Sequence, residues 1–506
     1  QGGTINSFTN QAQGNVGNLT NAGSLTNLNN VNGTMNAITN TGTIQTGTNT
    51  GSITTLTNNA NGRINSFTND QQGSIQNLNN TGGHFESLTN NNTITAITNT
   101  STFKDVINND TITTFTNQTN GSVENLSNTN TATLTTLSNE ANATITTLTN
   151  QGNITNAFSN AGRVTTLQND NGTFNAGITN TNTGTITTLT NNGTITNGIT
   201  NEAQGNNRGN IGTINNQQNL SSITNAGDIN TINNQSNATL TTLTNQTGGS
   251  IQTLNNTQNS TITTLTNQAN ATIGQFDNAG SVTNAFTNNG TITTLNNNNT
   301  GSFTQGITNA GTGTITTLTN NGTINVGITN QANGNIGTLT NTSQLDKVDN
   351  SGSITQLDNQ ANGTITELEN KNTGTITTLN NAGTITNAFS NEGNVTTLSN
   401  TGTFTNGITN KSNATIDTLT NEGSINVGIT NEQNATITTI NNRRTLTKVE
   451  NTGAITTLNN ENGATLETIT NNNNGTIGSL TNQSIITTLE NKEGGTITML
   501  TNTNTL

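Results

Sequence analysis

Bulky apolar residues occur singly along this chain, at fixed places within short polar units such as Gly184–Asn191 (GTITTLTN). The unit is recognisable from Gly3–Asn10 (GTINSFTN) to Gly495–Asn502 (GTITMLTN). Thr185, Ile186 and Thr187 alternate polar and apolar, the period of a strand with one buried face, because successive side chains point to opposite sides. From Ile186 to Leu189 the step is three residues, an odd number, which a straight strand cannot place on one face. The pattern therefore predicts a short strand with a corner near Thr187–Thr188. Asn191, followed by Asn192–Gly193, reads as a turn, since Asn and Gly tolerate positive φ.

The first apolar position of successive units falls at Ile5, Val16, Leu25, Met35, Ile44, Ile53 and Ile64. Single steps are irregular, mostly 9 to 12 residues, but two steps sum to 20 from Ile5 to Leu25, 19 from Leu25 to Ile44 and 20 from Ile44 to Ile64. Long and short units compensate, as expected if two units close one coil that must return to register. Wider units, Ile154 to Phe158, Phe174 to Ile178 and Ile195 to Ile199, recur every second unit. The triplet returns at Val282–Phe286, Phe303–Ile307 and Ile324–Ile328, and again at Ile385–Phe389, Phe404–Ile408 and Ile425–Ile429. Like units would stack on like. The residue before the second apolar position is always small, as Ala157, Gly177 and Gly198 show, which suits a tight bend or bulge. Above the coil lies a coarser repeat opened by Phe103–Asn108, Leu220–Asn225, Leu345–Asn350 and Leu446–Asn451, spaced 117, 125 and 101 residues apart. It reads as segmental duplication. The one large register break, residues 202–209 (EAQGNNRG), reads as a loop insertion.

These observations predict an all-β fold, a parallel β-solenoid (β-helix) of about 20-residue coils with two strand-turn units per coil, as a single continuous repeat domain over residues 1–506. One unit cannot bury its own apolar face, whereas stacked neighbours can. Ile145, Ile154, Val164, Phe174, Ile186, Leu189 and Ile195 are the expected stacking core. With ~25 coils at a ~4.8 Å strand spacing the stack would be roughly 120 Å long. Asparagines at the turns are expected to form ladders between neighbouring coils, as in cross-β structures, satisfying amides that are otherwise costly to enclose.

Composition alone would place the chain among disordered segments, with 26% hydrophobic and 2% aromatic residues and no Trp, Tyr, Cys or Pro. The regular apolar spacing and only 7% charged residues argue for a fold instead. The net charge of −13 disfavours nucleic acid and anionic membranes as partners. No apolar run approaches the ~20 residues of a membrane span, so membrane insertion is not expected. No leader segment precedes Gln1 and the chain starts and stops inside repeats, which reads as a processed product or a piece of a longer polypeptide.

His84 is the only histidine and cysteine is absent, so Ser-His, Cys-His and His-rich metal sites cannot be assembled. No enzyme, cofactor or metal site is expected. The acidic pairs Asp346 with Asp349 and Glu367 with Glu369 read as solvated turn charges. Asn-x-Ser/Thr triplets at Asn32, Asn142, Asn192, Asn237, Asn289, Asn362, Asn413 and Asn434 fall at expected turns, where a glycan would be accessible; Asn, Gly and Thr are also simply what such turns and strands prefer. Thr185 and Thr187, flanking an inward Ile186, would line up into hydroxyl rows resembling those that insect antifreeze solenoids present to ice. Arg163, Gly274, Gly337, Asn394 and Asp417 interrupt those rows, and strand preference for Thr accounts for the pattern without ice.

The units GTITTLTN, GSITTLTN (Gly51–Asn58) and NGTITNGITN (Asn192–Asn201) resemble the Thr/Asn/Gly-rich repeats of large bacterial surface proteins, in particular the β-solenoid passenger regions of autotransporter-type adhesins. The resemblance implies secretion to the cell surface and a role as stalk, adhesin or biofilm-matrix fibre. Neither terminus shows a capping unit, so the expected partner is the chain itself, stacked head-to-tail into filaments or continued by more of the same repeats. The alternatives are an adhesin region binding a surface glycan or protein and, less favoured, an ice-binding face.

Overall fold

The computed structural model describes residues 3–505; Gln1, Gly2 and Leu506, the ends of the expected repeat domain, lie outside them. By contact the chain divides into two compact units, Gln1–Gln252 and Thr253–Leu506. Each is a parallel β-solenoid, and no helix occurs among the described residues.

The building block is a seven-residue strand, seen in Thr144–Asn150 of the first unit and Thr314–Asn320 of the second, both TITTLTN. Its second, fifth and seventh residues are buried and the others lie outward. Between paired strands the ladder skips the third residue: Val164 pairs with Ile186 and Thr166 with Thr188, leaving Thr165 and Thr187 out. The skip is the predicted corner. It turns the chain between Ile186 and Leu189, so that an odd step still places both inward.

Strands of the solenoid pair in parallel with their counterparts one coil before and one coil after. Thr144–Asn150 pairs with Ser122–Asn128 on one side and with Arg163–Phe174 on the other. One apolar column accordingly runs Val123, Ile145, Val164, Ile186, Ile211, and a second runs Leu134, Ile154, Phe174, Ile195, Leu220. All ten are essentially inaccessible. Full burial contributes about 1.5–3 kcal/mol for each large aliphatic or aromatic side chain, so a sparse apolar supply stabilises the fold because almost none of it is left at the surface.

Between strands the chain most often takes two residues, as at Gln151–Gly152, or four, as at Glu140–Ala143. The longer turn closes with the Ala143 amide donating to the Glu140 carbonyl at 3.0 Å and places Asn142 at φ 63°. Coils average about 20 residues but do not need to. The offset between equivalent asparagines is 18 residues from Asn40 to Asn58 and 25 from Asn191 to Asn216. The expected compensation between long and short units is thus not what maintains register. Most units keep a seven-residue strand, as in Thr144–Asn150 and Thr314–Asn320, and outside the wide units surplus residues leave the stack at the turns.

The wide units stack on one another as expected, Phe158 on Ile178 on Ile199 and Phe286 on Ile307 on Ile328. In the second and third units of each triplet glycine at positive φ absorbs the extra residue, 83° at Gly177 and 78° at Gly198, where the first unit has Ala157, Ala285 or Ala388. A Cβ on Gly177 would lie 2.5 Å from the Gly198 carbonyl oxygen, so the bulges nest too closely for any side chain. Segments Leu220–Asn225, Leu345–Asn350 and Leu446–Asn451 cover the third wide unit of each triplet, pairing Ile199 with Ile223, Ile328 with Val348 and Ile429 with Val449. They return the stack from eight residues to seven. Residues 202–209 form a small antiparallel hairpin, Ala203–Gln204 against Asn207–Arg208, closed by the Gly209 amide on the Glu202 carbonyl at 2.8 Å.

Replacing Ile186 by aspartate buries an unpaired carboxylate and should cost at least ~3 kcal/mol locally, whereas Thr185→Ser should stay within about 0.5 kcal/mol. Amide hydrogen exchange in the strands holding Val164 and Ile211 reads both. Equal protection in the two variants would reject the inward placement of Ile186.

Candidate functional site

The residues with the most elaborate chemistry are the seventh of each strand, the asparagines. In the first unit Asn139 Nδ2 donates to Asn160 Oδ1, Asn160 to Asn180 and Asn180 to Asn201, at 2.8, 2.8 and 2.9 Å. A parallel ladder runs through Asn128, Asn150, Asn169, Asn191 and Asn216. The second unit likewise carries two, one through Asn278, Asn297 and Asn320, the other through Asn288, Asn309 and Asn330. Each amide also donates to backbone: Asn160 Nδ2 reaches the Thr185 carbonyl at 3.2 Å and the Gly162 carbonyl at 3.3 Å. These side chains are fully enclosed. A buried amide without partners costs about 1–3 kcal/mol. Asn carries both a donor and an acceptor on a short stem, so identical side chains one coil apart satisfy each other, which neither Asp nor Leu would do.

This corrects the placement of Asn191. It is not a turn residue: residues 185–195 form one unbroken strand, and Asn191 points inward, accepting from Asn169 and donating to Asn216. Left-handed turn positions belong to other asparagines. Asn32, Asn142, Asn237, Asn413 and Asn434, five of the eight proposed glycan acceptors, have φ from 55° to 67° and are exposed. Asn362 is exposed too, while Asn192 and Asn289 are half-buried, Asn192 donating to Asp170 Oδ1 at 3.2 Å. Ile145, Ile154, Val164, Phe174, Ile186, Leu189 and Ile195 all lie in the core.

Charged side chains gather outside the coils in clusters that bridge neighbouring coils, an arrangement missed in the sequence because the partners lie about a coil apart. Glu86 accepts from Lys104 Nζ at 2.5 Å and Arg63 Nη2 at 2.8 Å and contacts His84 Nε2 at 3.0 Å. Hydrogen bonds from Lys104 first, then His84, hold the Glu86 carboxyl down at about 2. Lys347 sits between Glu367 at 3.2 Å and Glu369 at 2.7 Å, and Lys371 shares Glu369 at 2.8 Å. Glu367 and Glu369 are therefore outward strand residues in an ion-paired network, not turn charges; Asp346 likewise is in a strand and accepts from the Val326 amide at 3.1 Å. Arg443 joins Glu422 at 2.8 Å to Glu461 at 3.0 Å, stacking opposite signs in three successive coils. The 203–208 hairpin is clamped by Arg208, which grips Asp228 at 2.7 Å and donates to the Gly227 and Gly248 carbonyls, each at 2.8 Å.

The threonine rows are interrupted as expected: Thr185 pairs with Arg163 on one side and Asn210 on the other, and Thr314 pairs with Asn335. Compared with family models, with curated proteins and with solved structures, the chain matches none.

Two outcomes follow from this geometry. Asn160→Ala leaves Asn180 Oδ1 without its donor and Asn139 Nδ2 without its side-chain acceptor, a loss of about 1–3 kcal/mol, visible as weakened exchange protection in Thr133–Asn139 and Ile178–Asn180; undiminished protection would show the ladder to be dispensable. Because the Glu86 carboxyl is lowered from 4.5 to about 2, its stabilising effect is complete above pH 4.5 and disappears as pH falls toward about 2. Strand His84–Asn90 should loosen over that interval in the parent chain and show no such step in Glu86→Gln.

Proposed function

We propose that this chain is a non-catalytic structural repeat, a segment of an extracellular fibre or surface stalk, extended by further coils laid on its own. The observation that carries this reading is that each strand buries its apolar residues against strands of the same repeat in the neighbouring coils. In Thr314–Asn320 the fifth residue, Leu318, is fully buried between Leu295 and Leu339 of the strands stacked on it, and in Thr144–Asn150 Leu148 lies likewise between Leu126 and Leu167. Interior copies of the same strand are covered by a coil of the same repeat. An uncovered strand edge, with its unpaired backbone groups, is a template for another. The complementary surface is one more coil, supplied by continuation of the polypeptide or by a second copy.

The Thr/Asn/Gly-rich units resemble those of large bacterial surface proteins, which favours the cell surface or extracellular matrix as the location. The acidic balance, 24 Asp and Glu against 11 Lys and Arg, suits neither nucleic acid nor anionic lipid as partner. No helix among the described residues is long and apolar enough to cross a membrane.

Electron microscopy of the purified chain over a range of concentrations tests the self-stacking form. Long filaments of uniform width with a repeat near ~4.8 Å along the axis are expected. Particles that remain short and monodisperse at every concentration would overturn stacking between copies.

A further inference from the structure

Some ladder asparagines are themselves the first residue of an Asn-x-Ser/Thr triplet. They include Asn99 (Asn-Thr-Ser), Asn117 (Asn-Gln-Thr), Asn245 (Asn-Gln-Thr), Asn341 (Asn-Thr-Ser), Asn410 (Asn-Lys-Ser) and Asn482 (Asn-Gln-Ser). In the unfolded chain they are as available to a glycosylating enzyme as the turn asparagines. In the folded chain all six are enclosed.

Asn117 shows what a glycan would do. Its Nδ2 donates to Asn139 Oδ1 at 2.8 Å, the Thr144 carbonyl at 3.0 Å and the Gly121 carbonyl at 3.2 Å, while its Oδ1 accepts from Asn99 Nδ2 at 2.8 Å. N-glycosylation by a lipid-pyrophosphate-linked sugar forms a bond between Nδ2 and sugar C1. The C1–oxygen bond to the pyrophosphate breaks, the lipid pyrophosphate leaves with the electron pair, and Nδ2 gives up one proton to the enzyme's base. The modified amide keeps a single N–H where the ladder uses both, and a sugar ring occupies the place of the other. No room exists for it: a single carbon added at Gly121 would already lie 2.3 Å from Asn117 Oδ1 and 2.6 Å from the Asn99 carbonyl oxygen. Asn142 and Asn434, exposed at left-handed turns, have no such conflict.

We infer that this chain folds before, or without, meeting an enzyme that glycosylates unfolded Asn-x-Ser/Thr segments, because the same modification that the turn asparagines tolerate prevents the ladder from forming. The ladder triplets are acceptor sites whose use is incompatible with the solenoid.

The test is expression of the full chain through a secretory pathway that N-glycosylates, with occupancy mapped by mass spectrometry after enzymatic glycan release in heavy-oxygen water. The folded, protease-resistant fraction should carry sugar at turn asparagines and none at ladder asparagines, and the misfolded fraction should carry it at the ladder. A second chain, in which the Ser or Thr of every ladder triplet is alanine (Ser101→Ala, Thr119→Ala and their counterparts) and every asparagine is retained, should give a several-fold higher folded yield by that route. Made in a cytosol without the enzyme, both chains should fold equally, which separates glycosylation from any effect of the substitutions. A folded fraction with sugar on Asn117 or another ladder residue would overturn the inference. So would ladder sites left empty in both fractions with no gain in yield for the second chain.

Discussion

The hydrogen bond from one asparagine amide to the next, coil after coil, is the interaction on which the rest of this architecture depends. Apolar columns alone would leave a chain of near-identical units with many comparable ways to stack. The asparagine at the seventh place of each strand removes that freedom. A shift of one residue would turn Ile186 and Leu189 outward and at the same moment strand an enclosed amide without its donor and acceptor. Because every amide donates toward the next coil and accepts from the previous one, the bonds polarise one another in the same sense. The ladders thus do in this protein what a large mixed core does elsewhere: they make one arrangement much better than its neighbours.

Much of this is legible in the sequence, and the part that is not has a physical reason. The interval between Ile186 and Leu189 discloses the corner because side-chain direction alternates strictly along a strand. The wide units disclose their own stacking because a four-residue interval beside a small residue recurs every second unit. The asparagines mislead. Local chemistry makes Asn a turn former, and nothing within one unit reveals that Asn191 has an identical partner above and below; its fixed distance from Leu189, while the residues after it vary, was the available signal. The charge clusters are hidden for a related reason. Arg63, Glu86 and Lys104 are far apart in sequence and become neighbours only once coil offsets are known, and those offsets range too widely to be guessed from a mean.

The outward positions carry what individuality the coils possess. Single ion pairs on a solvated surface contribute little to stability. Their arrangement contributes specificity instead. Glu422, Arg443 and Glu461 alternate in sign through three successive coils, and Lys347 and Lys371 interleave with Glu367 and Glu369. Moving one coil past its neighbour would set like charges together. The wide triplets act in the same direction, since Gly177 and Gly198 of neighbouring eight-residue units nest against each other. Interruptions of the repeat therefore tell equivalent coils apart, a distinction the buried positions do not make.

The turns hold a different lesson. Register lies in the strands and their inward asparagines, so the length of chain that leaves the stack between one asparagine and the next strand is nearly free, and lengthening a flexible loop adds only a slowly growing entropic term. The hairpin at residues 203–208 is such an excursion already made, within a coil whose neighbours are undisturbed. An extra residue inside the strand has less latitude and is accepted beside a small residue, Ala157 or Gly177, that lets the strand bend. Change in this lineage is thereby channelled: new sequence can accumulate at the turns as appendages, each on its own coil, while the strands beneath them stay as they are.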